Sequence, residues 1–235
     1  MGKENHLLAS LPRDIYEKLA PHLQYVSLKQ GQRLYEPGET IKEIYFPIDC
    51  LLSITITMND GATVETGMVG YREMLGLNVF LGGGETTQTE STMQIPGNAI
   101  KADAQMWRKE FDCNQELRNI ILRYIQAFIV QVSQTAACNR THFIEQRLAR
   151  WLLEAHDRIT SDELRLTHEF IANMLGVRRA GVTQAAQNLQ DSGLIRYNRG
   201  RIHILNQAGL EAFSCECFRT VKNERDRLLG IRHRG

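Results

Sequence analysis

The sequence predicts an α+β chain in three parts: a jelly-roll β-barrel at the N-terminal end, one long helix, and a compact helical segment that ends in a hairpin. Three observations carry that prediction. Residues 26–106 fall into short β runs separated by turn residues. Residues 114–137 contain neither glycine nor proline. Residues 167–205 spell a helix, a tight turn, a second helix and a basic hairpin.

Residues 7–25 read as a short helical lead, with Ile15, Leu19 and Leu23 at helical spacing. Beyond Val26 the turn signals are Gly31, Pro37–Gly38, Pro47–Ile48–Asp49, Asn59–Asp60–Gly61, Gly82–Gly83–Gly84 and Pro96–Gly97. Many short strands at this spacing point to a small barrel or jelly roll. Leu52–Met58 alternates, with Leu52, Ile54, Ile56 and Met58 on one face and Ser53, Thr55 and Thr57 on the other.

After Trp107 the period becomes helical. Leu122, Ile125, Ile129, Val132 and Ala136 form a heptad seam, and Leu117, Ile121, Tyr124 and Phe128 form a second stripe about 75° away. Two apolar stripes need two partners. One assignment packs one stripe on the barrel and the other, Leu122–Ile125–Ile129–Val132, on the same helix of a second subunit; a helix buried within one domain would also be apolar over this width. Cys138–Asn139–Arg140–Thr141 reads as a hinge, Phe143–Ile159 as an amphipathic helix and Ala208–Leu229 as a closing helix.

Between those helices Thr167 is placed to cap a helix whose apolar face is Ile171, Met174 and Leu175, with Ala172 small enough for close approach of a second helix. Gly176 suits the exit from the first helix, where a left-handed backbone costs glycine nothing. In the second helix Val182, Ala185, Ala186 and Leu189 share a face, leaving Ala180, Thr183, Gln184, Gln187 and Asn188 outward and Arg178–Arg179 at the amino end. Ser192–Gly193 ends it. Leu194–Tyr197 and Arg201–Leu205 then form a hairpin around Asn198–Arg199–Gly200. This is a winged helix-turn-helix. From Phe170 to Leu210 the only acid is Asp191, against Arg178, Arg179, Arg196, Arg199 and Arg201, which is the charge pattern a phosphate backbone attracts. The predicted DNA contacts are Thr167, His168, Arg178, Arg179, Thr183, Gln184, Gln187, Asn188, Arg199 and Arg201.

The charge of the whole chain, +1, conceals a polarity. Residues 1–142 hold 13 basic and 16 acidic side chains, and residues 143–235 hold 15 and 11. Five scattered cysteines (Cys50, Cys113, Cys138, Cys215, Cys217) argue against a disulfide framework and for a reducing compartment. No signal core or membrane-length apolar run is present, so a cytoplasmic location without membrane association is expected. Cys215–Glu216–Cys217 is read as packing: thiols two apart on a helix diverge, and no partners are evident, so no metal site is expected. The chain has no glycine-rich phosphate loop, HExxH or GxSxG, which argues against an enzyme. A ligand-binding module without DNA function is the third class, and the basic wing argues against it.

Barrel, long helix, hinge and winged helix-turn-helix stand in the order of the Crp/Fnr family of bacterial transcription regulators. The chain resembles that family over nearly its whole length, in YFPIDCLLSITITMNDGATVETGMVGYREMLGL, LTHEFIANMLGVRRAGVT and GLEAFSCECFR. The resemblance implies a cyclic-nucleotide-binding-like effector domain over 1–112, a dimerisation helix and hinge over 113–141 and a DNA-binding domain over 142–235. It further implies a homodimer on double-stranded, palindromic operator DNA, in contact with RNA polymerase. Arg179 stands where the family commonly contacts a guanine, whereas Ala180 and Gln184 replace the glutamate and arginine of the cyclic-AMP receptor pattern, so a different target sequence is implied.

The family's cyclic-AMP cassette needs a Gly-Glu pair for the ribose and an Arg-Ser pair for the phosphate, since a buried anion must be neutralised and hydrogen-bonded. Here Arg72–Glu73–Met74–Leu75–Gly76–Leu77 and Glu85–Thr86–Thr87–Gln88–Thr89–Glu90 stand instead, which disfavours cyclic AMP. Arg72 and Glu73 would otherwise be a surface turn, and Thr86–Thr89 an exposed loop. An iron–sulfur cluster lacks clustered thiols before the hinge, and a haem lacks any histidine between residues 23 and 141. The remaining alternatives are a cyclic dinucleotide such as cyclic di-GMP, or no effector at all. Residues suited to an effector are Arg33, Arg72, Glu73, Thr87, Thr89, Arg118 and Arg123, with Arg140 a further guanidinium.

Overall fold

The computed structural model describes residues 5–82, 86–159, 161 and 163–231. Gly83, Gly84 and Glu85 of the sequence-marked turn and loop lie outside the described residues, as does His233. The helical lead is two short helices, α1 (His6–Ala9) and α2 (Arg13–Leu19), because Pro12 interrupts the run. Asn5 caps α1 by accepting from the N–H groups of Leu7 and Leu8, and its own amide donates to the carbonyls of Pro47 and Glu73, which ties the lead to the barrel.

Seven strands follow: β1 (Gln24–Leu28), β2 (Arg33–Tyr35), β3 (Glu43–Pro47), β4 (Leu51–Thr57), β5 (Thr63–Val69), β6 (Glu90–Ile95) and β7 (Gly97–Asp103). They make two antiparallel sheets, ordered β1-β7-β3 and β2-β6-β4-β5, around a core that includes Ile44, Phe46, Leu52, Val69, Met93 and Ile100. The expected jelly-roll architecture is thus present.

The barrel is closed by α3 (Ala104–Cys113) and the long helix α4 (Gln115–Thr141). Trp107 of α3 packs on Phe46 with ring centroids 4.9 Å apart. Asn114 caps α4. On α4 the stripe Leu117, Ile121 and Tyr124 is buried on the barrel, with Phe128 packed against the same core, and Tyr124 donates its hydroxyl proton to the Met74 carbonyl at 2.5 Å.

The chain breaks at His142, whose extended backbone ends α4. The predicted hinge at Cys138–Thr141 is therefore helical, and the turn lies one residue further on. The C-terminal domain comprises α5 (Ile144–Asp157), β8 (Glu163–Arg165), α6 (His168–Leu175), α7 (Arg179–Asp191), β9 (Ile195–Asn198), β10 (Arg201–Ile204), α8 (Gln207–Phe213) and α9 (Cys217–Leu229). The wing has a third strand that the sequence did not announce: β8 pairs with β10, giving the order β8-β10-β9. The predicted closing helix is two helices, α8 and α9, interrupted at Ser214–Glu216.

The two domains bury a shared polar face. Alternation in β4 separates an apolar side from a side bearing Ser53 and Thr55, yet Leu51–Thr55 is buried throughout, because the C-terminal domain covers the polar side. Ser53 Oγ lies 3.2 Å from Met174 Sδ of α6, and Trp151 Nε1 of α5 donates to Glu65 Oε1 of β5 at 2.8 Å. Gly70 is required at this junction, since a Cβ there would collide with the Arg158 backbone. Among the described residues no helix is long and apolar enough to cross a membrane.

Candidate nucleic-acid interface

The helix-turn-helix is built as its residues dictate. Thr167 Oγ1 accepts from the Phe170 N–H at the start of α6, and Gly176 ends α6 at φ 61°, the left-handed turn that starts α7 without a clash. Val182, Ala185, Ala186 and Leu189 of α7 are buried against α5 and α6. Arg178, Arg179, Ala180, Thr183, Gln184, Gln187 and Asn188 are exposed. These exposed side chains share a face of α7, and Arg178 and Arg179 stand at its amino end, where the helix dipole favours anions.

Within that face each side chain has a distinct setting. Arg179 is 69% exposed and 3.9 Å from Glu169, a loose pair that leaves the guanidinium available. Gln184 donates to Asn188 Oδ1 at 2.9 Å and Gln187 to Asp191 Oδ1 at 2.7 Å, so both amides are held upright along the helix. His168 is partly buried, stacks on Tyr197 at 4.0 Å and lies 3.1 Å from Thr183 Oγ1. Burial, and then the Arg179 charge, hold its imidazole below the ordinary value. Thr167 thus caps α6, while His168 ties α6 to α7 and the wing. At the wing tip Arg199 adopts φ 47° beside Gly200, and exposed Arg201 lies 3.6 Å from Glu163 of β8.

The predicted dimerisation stripe is exposed in part. Leu122 is 45% and Ile129 58% exposed, and Val132 is half-buried, but Ile125 is buried in the barrel core of its own chain. Ile125 is therefore removed from the seam: it lies about 60° around the helix from Leu122, on the side nearer the barrel stripe, and is buried in that core.

The predicted effector residues do not converge. Arg72 pairs with Asp157 of α5 at 2.9 Å, and Glu73 is buried, accepting from the Gly70 N–H at 2.8 Å and from Arg158 Nε at 3.1 Å. Neither sits in an exposed surface turn, since both are engaged in tying the barrel to the end of α5. Burial opposes ionisation of Asp157, but Arg225, Arg72 and Arg158 outweigh it and hold its carboxyl below the usual range. Arg33 lies 3.5 Å from Glu36 and 3.9 Å from Glu90, while Arg118 donates to the carbonyls of Phe111 and Asp112. Thr87 and Thr89 share a hydrogen bond of 2.8 Å on the β6 side. Arg123 lines an open depression of about 650 Å³ with Ser10, Asn119 and Gln126.

One cluster contradicts the reading of Cys215 and Cys217 as simple packing without partners. Because the chain leaves helix at Ser214–Glu216, the two thiols need not diverge, and they meet Cys138 and His142 from the end of α4. The Cys138 thiol is pulled below its ordinary range by the hydrogen bond from Cys215, against burial and with help from Arg150. The available signal was the i, i+4 spacing of Cys138 and His142 set beside a Cys-x-Cys element.

Comparison with known proteins places these features. Residues 146–213 match the Crp-like helix-turn-helix domain. The global nitrogen regulator of Synechococcus elongatus is 22% identical over 219 residues, covering 89% of this chain and 97% of the relative. A transcriptional regulator of the Crp/Fnr family from Eubacterium rectale has the same fold, with a TM-score of 0.69 at 19% identity over 90% of this chain and 98% of its own. The c-di-GMP responsive global regulator CLP of Xanthomonas campestris superposes with a TM-score of 0.65 at 15% identity over 82% of this chain and 99% of its own. Such proteins are regulators rather than enzymes. The chain thus carries a Crp-like helix-turn-helix domain at residues 146–213, behind a barrel and a long helix that share the fold of Crp/Fnr-type regulators.

Proposed function

We propose that the protein acts as a homodimer on a palindromic operator, with one winged domain per half-site and the two recognition helices one helical turn of DNA apart, about 34 Å. The observation that carries this reading is the apolar stripe of exposed Leu122 and Ile129 with half-buried Val132 on α4, beside a neighbouring stripe that the barrel covers. A self-complementary helix face of this kind suits a two-fold axis, where the same patch meets its own copy. Arg179, Thr183, Gln184, Gln187 and Asn188 read base edges, and Arg178, Arg199 and Arg201 hold phosphates. Operator fragments selected from random DNA test the arrangement: dyad-symmetric sites bound by two chains support it, and single half-sites bound with equal affinity by a monomer refute it.

A second reading adds an anionic effector, with a cyclic dinucleotide preferred over cyclic AMP. Support comes from the fold shared with CLP and from Arg123 beside its cleft, while Arg72 and Glu73 are committed elsewhere. Calorimetric titration with cyclic di-GMP and cyclic AMP separates the cases. Heat with cyclic di-GMP that Arg123→Ala removes supports this reading. No heat with either, in protein that still binds operator, leaves an effector-independent regulator.

A further inference from the structure

Cys138 and His142 occupy the last turn and the end of α4, and Cys215 and Cys217 flank the start of α9. The three Sγ atoms and the imidazole nitrogen all lie within 4.8 Å of one another. Cys138, Cys215 and Cys217 are buried, and the His142 side chain is 19% exposed. Cys138 Sγ is 3.5 Å from Cys215 Sγ, and Cys217 Sγ is 3.6 Å from His142 Nδ1.

Those spacings are the edges of a small tetrahedron. With Zn–S near 2.3 Å and Zn–N near 2.0–2.1 Å, ideal sulfur–sulfur and sulfur–nitrogen edges are about 3.8 and 3.6 Å. The cysteines are free thiols, and the Cys138–Cys215 separation is far beyond the roughly 2.04 Å of a disulfide. Ligand atoms this close could surround one ion and leave no room between them for a multi-iron cluster.

The outer shell suits the same chemistry. With Nδ1 turned inward, His142 presents Nε2 to Glu216 Oε2 at 3.3 Å, the carboxylate–histidine arrangement that fixes ring orientation in metal sites. Gln134 Nε2 donates to Cys217 Sγ at 3.1 Å, a bond that supports a thiolate. Three thiolates, one imidazole and a divalent cation carry a net charge of −1. Buried Arg150 and Arg147, close by on α5, offset it.

We propose that Cys138, His142, Cys215 and Cys217 form a Zn²⁺ site that clamps the end of the dimerisation helix to the α8–α9 turn of the DNA-binding domain. The ligand set Cys₃His in a closed tetrahedral arrangement is that of structural zinc. On binding, the three thiols release their protons to solvent and no electrons move. The metal fixes the angle of the domain across the His142 break, because its two ligand pairs belong to segments on either side of it.

The test uses the full-length chain purified under reducing conditions. Elemental analysis should find one zinc per chain. Substitution with Co²⁺ should give the ligand-field bands of a tetrahedral ion with thiolate charge transfer. Cys217→Ser and His142→Ala should lower zinc content at least tenfold after dialysis against a weak chelator, while Cys113→Ser, an exposed thiol outside the cluster, should retain it. Zn²⁺ added to stripped protein should raise its melting temperature, and the same addition should leave Cys217→Ser unmoved; circular dichroism of the stripped proteins shows whether each variant is folded. Zinc content unchanged in folded Cys217→Ser and His142→Ala would overturn the proposal. So would a metal-free protein that binds no Zn²⁺ in competition with a chromogenic chelator, or one in which Cys138 and Cys215 are found as a disulfide.

Discussion

Glu65 offers a quantitative test of how the two domains dock. It lies on β5, 5% exposed, and accepts from Trp151 Nε1 at 2.8 Å and from Ser53 Oγ. Burial raises its pKa from 4.5 to about 7, more than the hydrogen bonds from Ser53 and Trp151 lower it, and neighbouring Glu154 adds to the rise while Arg150 opposes it. When protonated, the carboxyl donates to Ser53 Oγ, which in turn faces Met174 Sδ at 3.2 Å. The sign follows from linkage: an acid whose folded pKa is raised stabilises the fold fully below its unfolded value, and that stabilisation is lost as pH rises through about 7. At about 1.4 kcal/mol per unit, the loss between pH 5 and pH 8 is about 2.5 kcal/mol, or roughly 5–10 °C in melting temperature for a chain of this size. Glu65→Gln keeps an acceptor for Trp151 and cannot ionise. Melting curves recorded across that interval should fall for the wild type and stay flatter for the variant by this amount. Parallel curves would refute the assignment of a neutral, buried Glu65.

Four further outcomes are expected. Ile129→Glu places a charge in the proposed interhelical seam, so sedimentation should show a monomer and affinity for a palindromic site should collapse; an intact dimer refutes the seam. Arg179→Ala should cost about 1–3 kcal/mol on a specific site and relax base preference, whereas Arg201→Ala should weaken all DNA alike and reduce the salt slope by about one. Equal losses on specific and random DNA for both would remove that distinction. Arg158→Met leaves buried Glu73 and Glu154 without their shared cation and should destabilise by about 3–5 kcal/mol in denaturant titration; a change under 1 kcal/mol would show that the cluster does not hold the junction.

What the sequence made legible was periodic, and what it hid was long-range. The recognition helix, its glycine turn and the wing follow from local spacing, so Val182, Ala185, Ala186 and Leu189 are buried as predicted. The barrel followed from turn residues. The face of β4 bearing Ser53 and Thr55 was not legible as buried, because alternation reports which residues differ, and only the docked C-terminal domain decides that the polar side is covered too. Arg72 and Glu73 misled for the same reason: charged residues in a turn look solvated until their partners, Asp157 and Arg158, arrive from 85 residues away. Cys215 and Cys217 misled through the opposite error. A helix extended through Ser214 on composition alone would splay the thiols, and the break that gathers them depends on packing against α4.

These long-range contacts differ in how they can be released, and that difference bears on regulation. Arg158, Glu73, Arg72 and Asp157 form a junction of paired, largely buried charges, which a competing charged partner can release. The Glu65 contact is expected to weaken as its carboxyl ionises near neutrality, and the proposed zinc clamp to open when its metal is removed. The reading face of α7 takes part in none of these contacts, so releasing one of them changes where the reading head points without altering what it reads. A variant that affects only orientation should therefore keep its base preference while losing affinity for paired half-sites. Alanine at Arg179 should instead relax base preference on single and paired half-sites alike.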